Sequence, residues 1–405
     1  MKSTIALLAL AQGIAGHVIR QPDDACKATG KAVYVLTNDE ANSVVALLIK
    51  GDGTLGAGTV TPSGGKGLST LSGMTNQSAG PDSLASQSAL TVAGGYVFAV
   101  NPGSNSISML SISKHDPTKL TLVGKPAQIP GQFPNTVAAS AKNKLVCVGA
   151  TGAKAGITCA PFTHKGIGAM DTLRPIDLGQ SNPPVGPTNT VSQALFSEDE
   201  STLYTIVKGD PTANKTGFIS SLSVQKKRTC GNASIATADA KDARASPNGT
   251  AVLFGSQVIP GTNTLFSTDA SFGAVVMSID AKTGRASVAA KKVIVDQKAT
   301  CWSAFAKSTG SVYVTDVLIP RVLEMSPKDA SIISTVDLSA GGDSGFIDLK
   351  ASGDFLYVLS PGNGTSTAAI QVLDLSEGRG KAKAIQRFAI GGQIGKSAQG
   401  VAILD

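Results

Sequence analysis

The chain has 405 residues and a formal net charge of +7, with 45 glycines and only 4% aromatic residues. So many small turn formers and so few aromatics favour short strands over long helices, and no sustained 3.6-residue apolar period follows the N-terminus. The charge is spread out: Lys226-Lys227-Arg228 is the one tight basic run, and no aromatic residues interleave it, which argues against nucleic acid as a partner. That run reads as a solvated loop, with a processing-protease site as the sharper alternative.

In chain order, Met1-Lys2 is followed by the short apolar run Ile5 to Ala11 and by small residues at Gly13, Ala15 and Gly16. This is the pattern of a secretory signal peptide over 1–16, preferred to a buried strand or short helix. The run is too short to span a bilayer, and no later segment is long enough, so no membrane span is expected. A polar leader occupies 17–29. Five N-x-S/T sequons, at Asn76, Asn214, Asn232, Asn248 and Asn363, fit an extracellular or cell-wall glycoprotein. Of the five cysteines, Cys147 and Cys159 sit on two strand-like pieces that fold back around Ala153, placing their sulfurs opposite each other. A disulfide there would stabilise by roughly 3 kcal/mol, and two buried free thiols are the alternative. The odd total leaves the pairing of Cys26, Cys230 and Cys301 open. No CxxC pair or histidine cluster suggests a metal, and no motif calls for a cofactor.

From residue 30 to 405 a phrase of strand, turn, strand recurs, seen most clearly in Gly186 to Val207. A four-strand phrase repeating at roughly fifty residues is that of a β-propeller blade. The expected second strands align on Tyr34, Phe98, Val146, Tyr204, Leu253, Tyr313 and Tyr357, giving seven blades, with six or eight allowed by the uneven spacing. Blade 5 is expected to begin with Ala243 to Thr250 as its first strand and Ala251 to Phe254 as its second. Ala398 to Leu404 has the first-strand pattern but no blade after it, while the first blade starts at its second strand. The fold expected is therefore all-β: a seven-bladed β-propeller closed by the C-terminal strand completing the N-terminal blade, which removes two exposed sheet edges. The Gly/Ser/Thr-rich stretch from Gly51 to about Ser83 is expected to hold one outer strand, Gly56 to Thr61, and then a long loop of functional or mobile character.

The turns Ser197-Glu198-Asp199-Glu200 and Ser246-Pro247-Asn248-Gly249, with Phe133-Pro134-Asn135-Thr136 and Gly186-Pro187-Thr188-Asn189 before first strands, resemble those of lactonase-type seven-bladed propellers. Phe133 to Ser140 and Thr268 to Ala274 look most like secreted fungal proteins of the 3-carboxymuconate cyclase-like group, which includes cell-wall glycoproteins. The resemblance implies two functions to weigh. One is a secreted binding or surface protein with little or no catalysis; the other is a carboxymuconate cyclase or lactone hydrolase acting on small carboxylated substrates. Catalytic relatives often carry a Gly-Pro-Arg-His-like phrase where first strands enter the channel. Here that phrase reads Gly186-Pro187-Thr188-Asn189, without the cation and the imidazole that lactonization needs.

In a propeller the first strands line the central channel, and their starts converge. The residues expected there are Gln87, Asn135, Asn189, Arg244, Trp302, Asp348 and Gln399. A set rich in amides around one indole suits a small carboxylate or carbohydrate ligand, or else holds channel water. Arg244 would clamp a carboxylate or pair with Asp242 or Asp348. His17, His115 and His164 are expected away from the channel, in the leader and outer loops. A monomer is expected, with a cell-wall or host-surface partner as the macromolecular alternative.

Overall fold

The computed structural model describes residues 31–228, 234–363, 365–391 and 394–404. The expected signal peptide and leader, together with His17, Cys26, Cys230 and Asn232, lie outside the described residues. Seven sheets stand around one axis, each antiparallel and of four strands or more. From the axis outward, blade 1 is Gln399–Leu404, Lys31–Leu36, Ser43–Ile49 and Leu55–Pro62. Blade 2 is Leu90–Ala93, Tyr96–Asn101, Ser106–Ile112 and Leu120–Leu122. Blade 3 begins with Pro134–Ser140, Leu145–Ala150 and Gly156–Thr163, and blade 4 with Val191–Phe196, Thr202–Val207 and Phe218–Arg228. Blade 5 is Leu253–Val258, Thr264–Asp269, Gly273–Ile279 and Ala286–Val293. Blade 6 is Thr300–Ala306, Ser311–Asp316, Ile319–Met325 and Ile332–Asp337; blade 7 is Ile347–Ser352, Phe355–Ser360, Ala369–Asp374 and Lys383–Ala389.

The ring closes as expected. Gln399–Leu404 pairs antiparallel with Lys31–Leu36, setting Val401 opposite Val35 and Ala402 opposite Tyr34. Closure gives the first-formed and last-formed pieces of blade 1 a shared hydrogen-bond ladder and leaves neither as an open edge.

Blade 5 differs from expectation. Ala243–Ala245 is no first strand; it pairs with Phe218–Arg228 at the outside of blade 4. The first strand of blade 5 is Leu253–Val258 and its second is Thr264–Asp269, so Phe266, and not Leu253, is the second-strand aromatic. The Ser-Pro-Asn-Gly turn misled because it precedes an apolar run that is itself the inner strand. Lys226-Lys227-Arg228 likewise belongs to a strand end paired with Ser234–Ala238, with Lys226 and Lys227 exposed, and not to a loop.

Second strands are apolar almost throughout because neighbouring blades cover both of their faces. Tyr34, Phe98, Phe266, Tyr313 and Tyr357 are fully buried there, each ring contributing about 1.5–3 kcal/mol. The tyrosine hydroxyls tie blades together. Tyr357 donates to Gly53 O of blade 1 at 2.9 Å, and Tyr34 donates to Pro117 O of blade 2 at 2.8 Å. Cys147 and Cys159 are direct partners across the second and third strands of blade 3 and form a disulfide.

Near the start of the inner strand, six blades slip register by one residue. The extra residues are Asn135, Ser192, Cys301, Asp348 and Gly400, with Phe254-Gly255 taking this part in blade 5. Such bulges twist a strand and re-aim side chains, and here they turn polar groups toward the axis. Gly400 shows the constraint: its φ is 72°, and an added Cβ would stand 2.5 Å from Leu90 Cδ2. Gly400→Val is expected to destabilise the protein by about 2–4 kcal/mol, combining the left-handed backbone with overpacking. A urea titration followed by circular dichroism measures this, and an unchanged midpoint would refute the closure geometry.

Candidate functional site

The connection from blade 1 to blade 2 does more than link them. It crosses the face on which inner strands begin, where Leu71–Ser72 pairs in parallel with Val185–Gly186 before blade 4. It then turns down the axis. Residues 81–88 fill the channel and bond to blades 1, 3, 4, 6 and 7. Gln399 Nε2 of blade 1 donates to Pro81 O at 3.1 Å, and Asn135 Nδ2 of blade 3 donates to Leu84 O at 3.2 Å. Lys208, at the end of the blade 4 second strand, gives its ammonium to Ala85 O at 2.7 Å, and Trp302 Nε1 of blade 6 donates to Ser86 O at 3.1 Å. Ser86 Oγ donates to Asn135 O at 2.6 Å, and Gln87 N to Ser192 O at 2.8 Å.

Gln87 spans the channel. Its Nε2 donates to Ser303 O at 2.7 Å and to Asp348 Oδ1 at 3.1 Å, while its Oε1 accepts from Ser303 N at 3.2 Å. Gly255 of blade 5 makes room for it: a Cβ there would lie 2.3 Å from Gln87 Oε1. Ala85 and Ser88 are held at φ 52° and 66°. Non-glycine residues persist in that region only where the surroundings over-determine them, and the ring of donors and acceptors does so here.

Five of the seven expected channel residues therefore converge: Gln87, Asn135, Trp302, Asp348 and Gln399 are all at most 1% exposed and all engage the plug or belong to it. Asn189 does not reach the channel. Its Nδ2 donates to Leu178 O at 2.8 Å and its N–H to Gly209 O at 3.1 Å, fixing the loop before blade 4. Arg244 is a correction. Because Ala243–Ala245 lies outside blade 4, its guanidinium is half-exposed, bonds Asp242 at 3.2 Å and rests 4.2 Å above the Phe218 ring. His115 and His164 are exposed on outer turns, as expected.

Three groups in the plug or packed against it escaped the sequence reading. Asp82 folds its carboxylate back onto the amides of Leu84, Ala85 and Ser86, and burial pushes its pKa up to about 6 against the nearby charge of Lys208. Its Oδ1 accepts no hydrogen bond from the described residues. Lys208 is pushed down to about 8 by burial, with Asp82 opposing the shift, and its ammonium lies 4.4 Å from the Phe254 ring centroid. Phe254 in turn meets Trp302 edge-on at 4.9 Å. Cys301 is buried as a free thiol whose pKa burial raises. Gly-Pro-Asp-Ser reads as a turn, and Lys208 follows a strand like any exposed lysine, so nothing local marked either. Asp348 is also raised by burial, but its oxygens accept from Gln87, Leu349 N and Val401 N. It latches blade 7 to the closing strand and the plug, a structural use of a carboxylate that sequence alone leaves open to general-base chemistry.

At the far end the channel opens into a mouth of about 270 Å³, floored by Ser88 and bordered by Thr91, Gln193, Gln257 and Lys350. A larger cleft of about 670 Å³ lies between blades 4 and 5, where Glu198, Asp199 and Asp280 hold the amides and hydroxyls of surrounding turns.

The architecture is that of a seven-bladed β-propeller with its channel stopped from one end. Its fold is similar to a candidate 6-phosphogluconolactonase from Bacteroides uniformis, at 13% identity and TM-score 0.58, over 92% of this chain and 99% of that one. It is similar also to one from Bacteroides fragilis, at 13% and 0.57, over 95% and 100%. A protein from Lactobacillus plantarum aligns at 13% and 0.50, over 71% and 79%. No protein-family model and no curated protein matches the sequence. The likeness is one of fold.

Two outcomes follow from the plug. Trp302 is the only tryptophan, so its emission reports the plug: Gly255→Val, which displaces Gln87, is expected to red-shift it and raise acrylamide quenching, and an unchanged spectrum would refute the packing described. The second concerns pH. The folded chain keeps a proton on Asp82 up to about 6, whereas the unfolded chain loses it near 3.8. The contribution of Asp82 to stability is thus fully present below the unfolded value and is lost as pH rises through about 6. Asp82→Asn is expected to flatten the slope of thermal midpoint against pH between 4 and 6, read by differential scanning calorimetry.

Proposed function

We propose that this protein is a secreted cell-wall or extracellular glycoprotein, of fungal type, whose propeller binds a small polar ligand or a surface partner with little or no catalysis. The observation that carries this reading is the filled channel. Lactone opening or muconate cyclization needs a cation or proton donor able to meet a bound substrate, and the groups at the channel entrance are already bonded to residues 81–88. Lys208, the cation among them, is spent on a carbonyl of the plug. The absence of a cation and imidazole from Gly186-Pro187-Thr188-Asn189 supports the same reading.

Four sequon asparagines, Asn76, Asn214, Asn248 and Asn363, are exposed. All four sit in connections entering inner strands or joining second to third strands, which places them on the plugged face. This supports glycosylation there. The second reading, a lactone hydrolase or carboxymuconate cyclase, draws on the likeness of fold to the candidate 6-phosphogluconolactonases, and one fold hosts many activities.

Purified protein is expected to give no hydrolysis of gluconolactone or 6-phosphogluconolactone and no cyclization of carboxymuconate above the uncatalysed rate. Turnover that falls on Lys208→Met or Asp348→Asn, with the fold retained, would overturn the proposal in favour of the enzyme.

A further inference from the structure

We infer that the open mouth opposite the plug is a binding site for a small hydroxylated monocarboxylate, held by Lys350. This deepens the binding reading above and rests on it. Asp348 faces the axis, where it meets Gln87. Lys350 lies two residues further along the same inner strand, past the bulge at Asp348 and nearer the open end, and it lines the mouth. It is the one charged residue in that lining, and its positive charge also steadies the buried carboxylate of Asp348 behind it, opposing the rise that burial causes. A lysine at the rim of a concave, low-dielectric wall focuses its charge into the recess, and the buried Asp348 behind it is already satisfied by three donors.

The rest of the lining fits hydroxyl groups. Gln193 spends its Oε1 on Ser256 N at 2.6 Å, but its Nε2 reaches only Ser88 Oγ, at 3.4 Å, which leaves N–H capacity toward the recess. Gln257 gives its Nε2 to Ser303 O at 2.8 Å and forms no hydrogen bond through its Oε1 to a described residue. Thr91 adds a hydroxyl, and Leu195 and Phe196 add an apolar wall. One cation selects one negative charge. Amides and hydroxyls select hydroxyls on the remaining carbons. A volume of about 270 Å³ lies just under the range for drug-sized ligands, so the occupant is smaller. The plug sets the depth of the site, because Ser88 is its floor. The four described sequons lie on the opposite face.

The test uses the full-length secreted protein, with D-gluconate as probe and glucose as its neutral counterpart, by calorimetry and saturation-transfer NMR at low ionic strength. Gluconate is expected to bind at least about tenfold tighter than glucose, since a charge-assisted hydrogen bond is worth roughly 1.5–3 kcal/mol. Lys350→Met should weaken gluconate by about tenfold or more, and Lys350→Arg should retain most of the affinity. Should Lys350→Met not fold, Thr91→Val and the salt dependence of binding to the wild type carry the test. Absence of binding by gluconate, lactate and glycerate overturns the inference, as does binding indifferent to Lys350 or, on the fallback route, to both Thr91 and salt. Turnover of the corresponding lactone overturns the non-catalytic reading instead, and leaves this site to be judged by the Lys350 variants.

Discussion

The side chain of Gln87 is the constraint on which the centre of this molecule depends. One primary amide meets Ser303 twice and Asp348 once, and so joins the plug to blades 6 and 7 across the axis. A buried amide costs free energy unless its donors and acceptor are used; here each donor and the acceptor oxygen has a partner. Around it, Asn135, Lys208, Trp302 and Gln399 each take a backbone carbonyl of the same short segment. The donors of the polar ring that a propeller turns inward are thereby matched by backbone, while Asn135 Oδ1 and Gln399 Oε1 have no partner among the described residues.

The inner-strand bulges make that match available. In a regular antiparallel ladder, Asn135, Ser192, Cys301 and Asp348 would each be bonded across to a second strand. As extra residues they escape the ladder, and their carbonyls and side chains are free to serve the plug or a neighbouring blade. Ser192 O receives Gln87 N, and Cys301 O receives the hydroxyl of Thr268.

Most of the architecture was legible in the sequence. The second strands announce themselves because burial on both faces demands unbroken apolar runs, and the leftover Ala398 to Leu404 revealed the closure because a strand without a blade must pair somewhere. Blade 5 was misread because the Ser246-Pro247-Asn248-Gly249 turn carries no information about which sheet its flanks join. At the site, Asn135, Trp302, Asp348 and Gln399 meet because strand order brings the inner-strand starts together, whereas Gln87 belongs to the plug and not to an inner strand. What they converge on was hidden. Residues 81–88 have no periodicity, and their place is set by partners hundreds of positions away. Arg244 failed for the same reason as blade 5, and Asp82 and Lys208 gave no local sign of burial.

Those separations bear on how the chain reaches its shape. Gln87 meets Asp348 across 261 positions, and Lys31–Leu36 waits for Gln399–Leu404. Entropy must be surrendered before such distant pairings return anything, so topologies of this kind assemble slowly. A ribosome that has released the first three hundred residues has made a row of sheets with an incomplete first member and a stopper lacking half its socket. The final strand and the stopper therefore become secure together, and the hollow about the axis is never an open tunnel in the finished molecule.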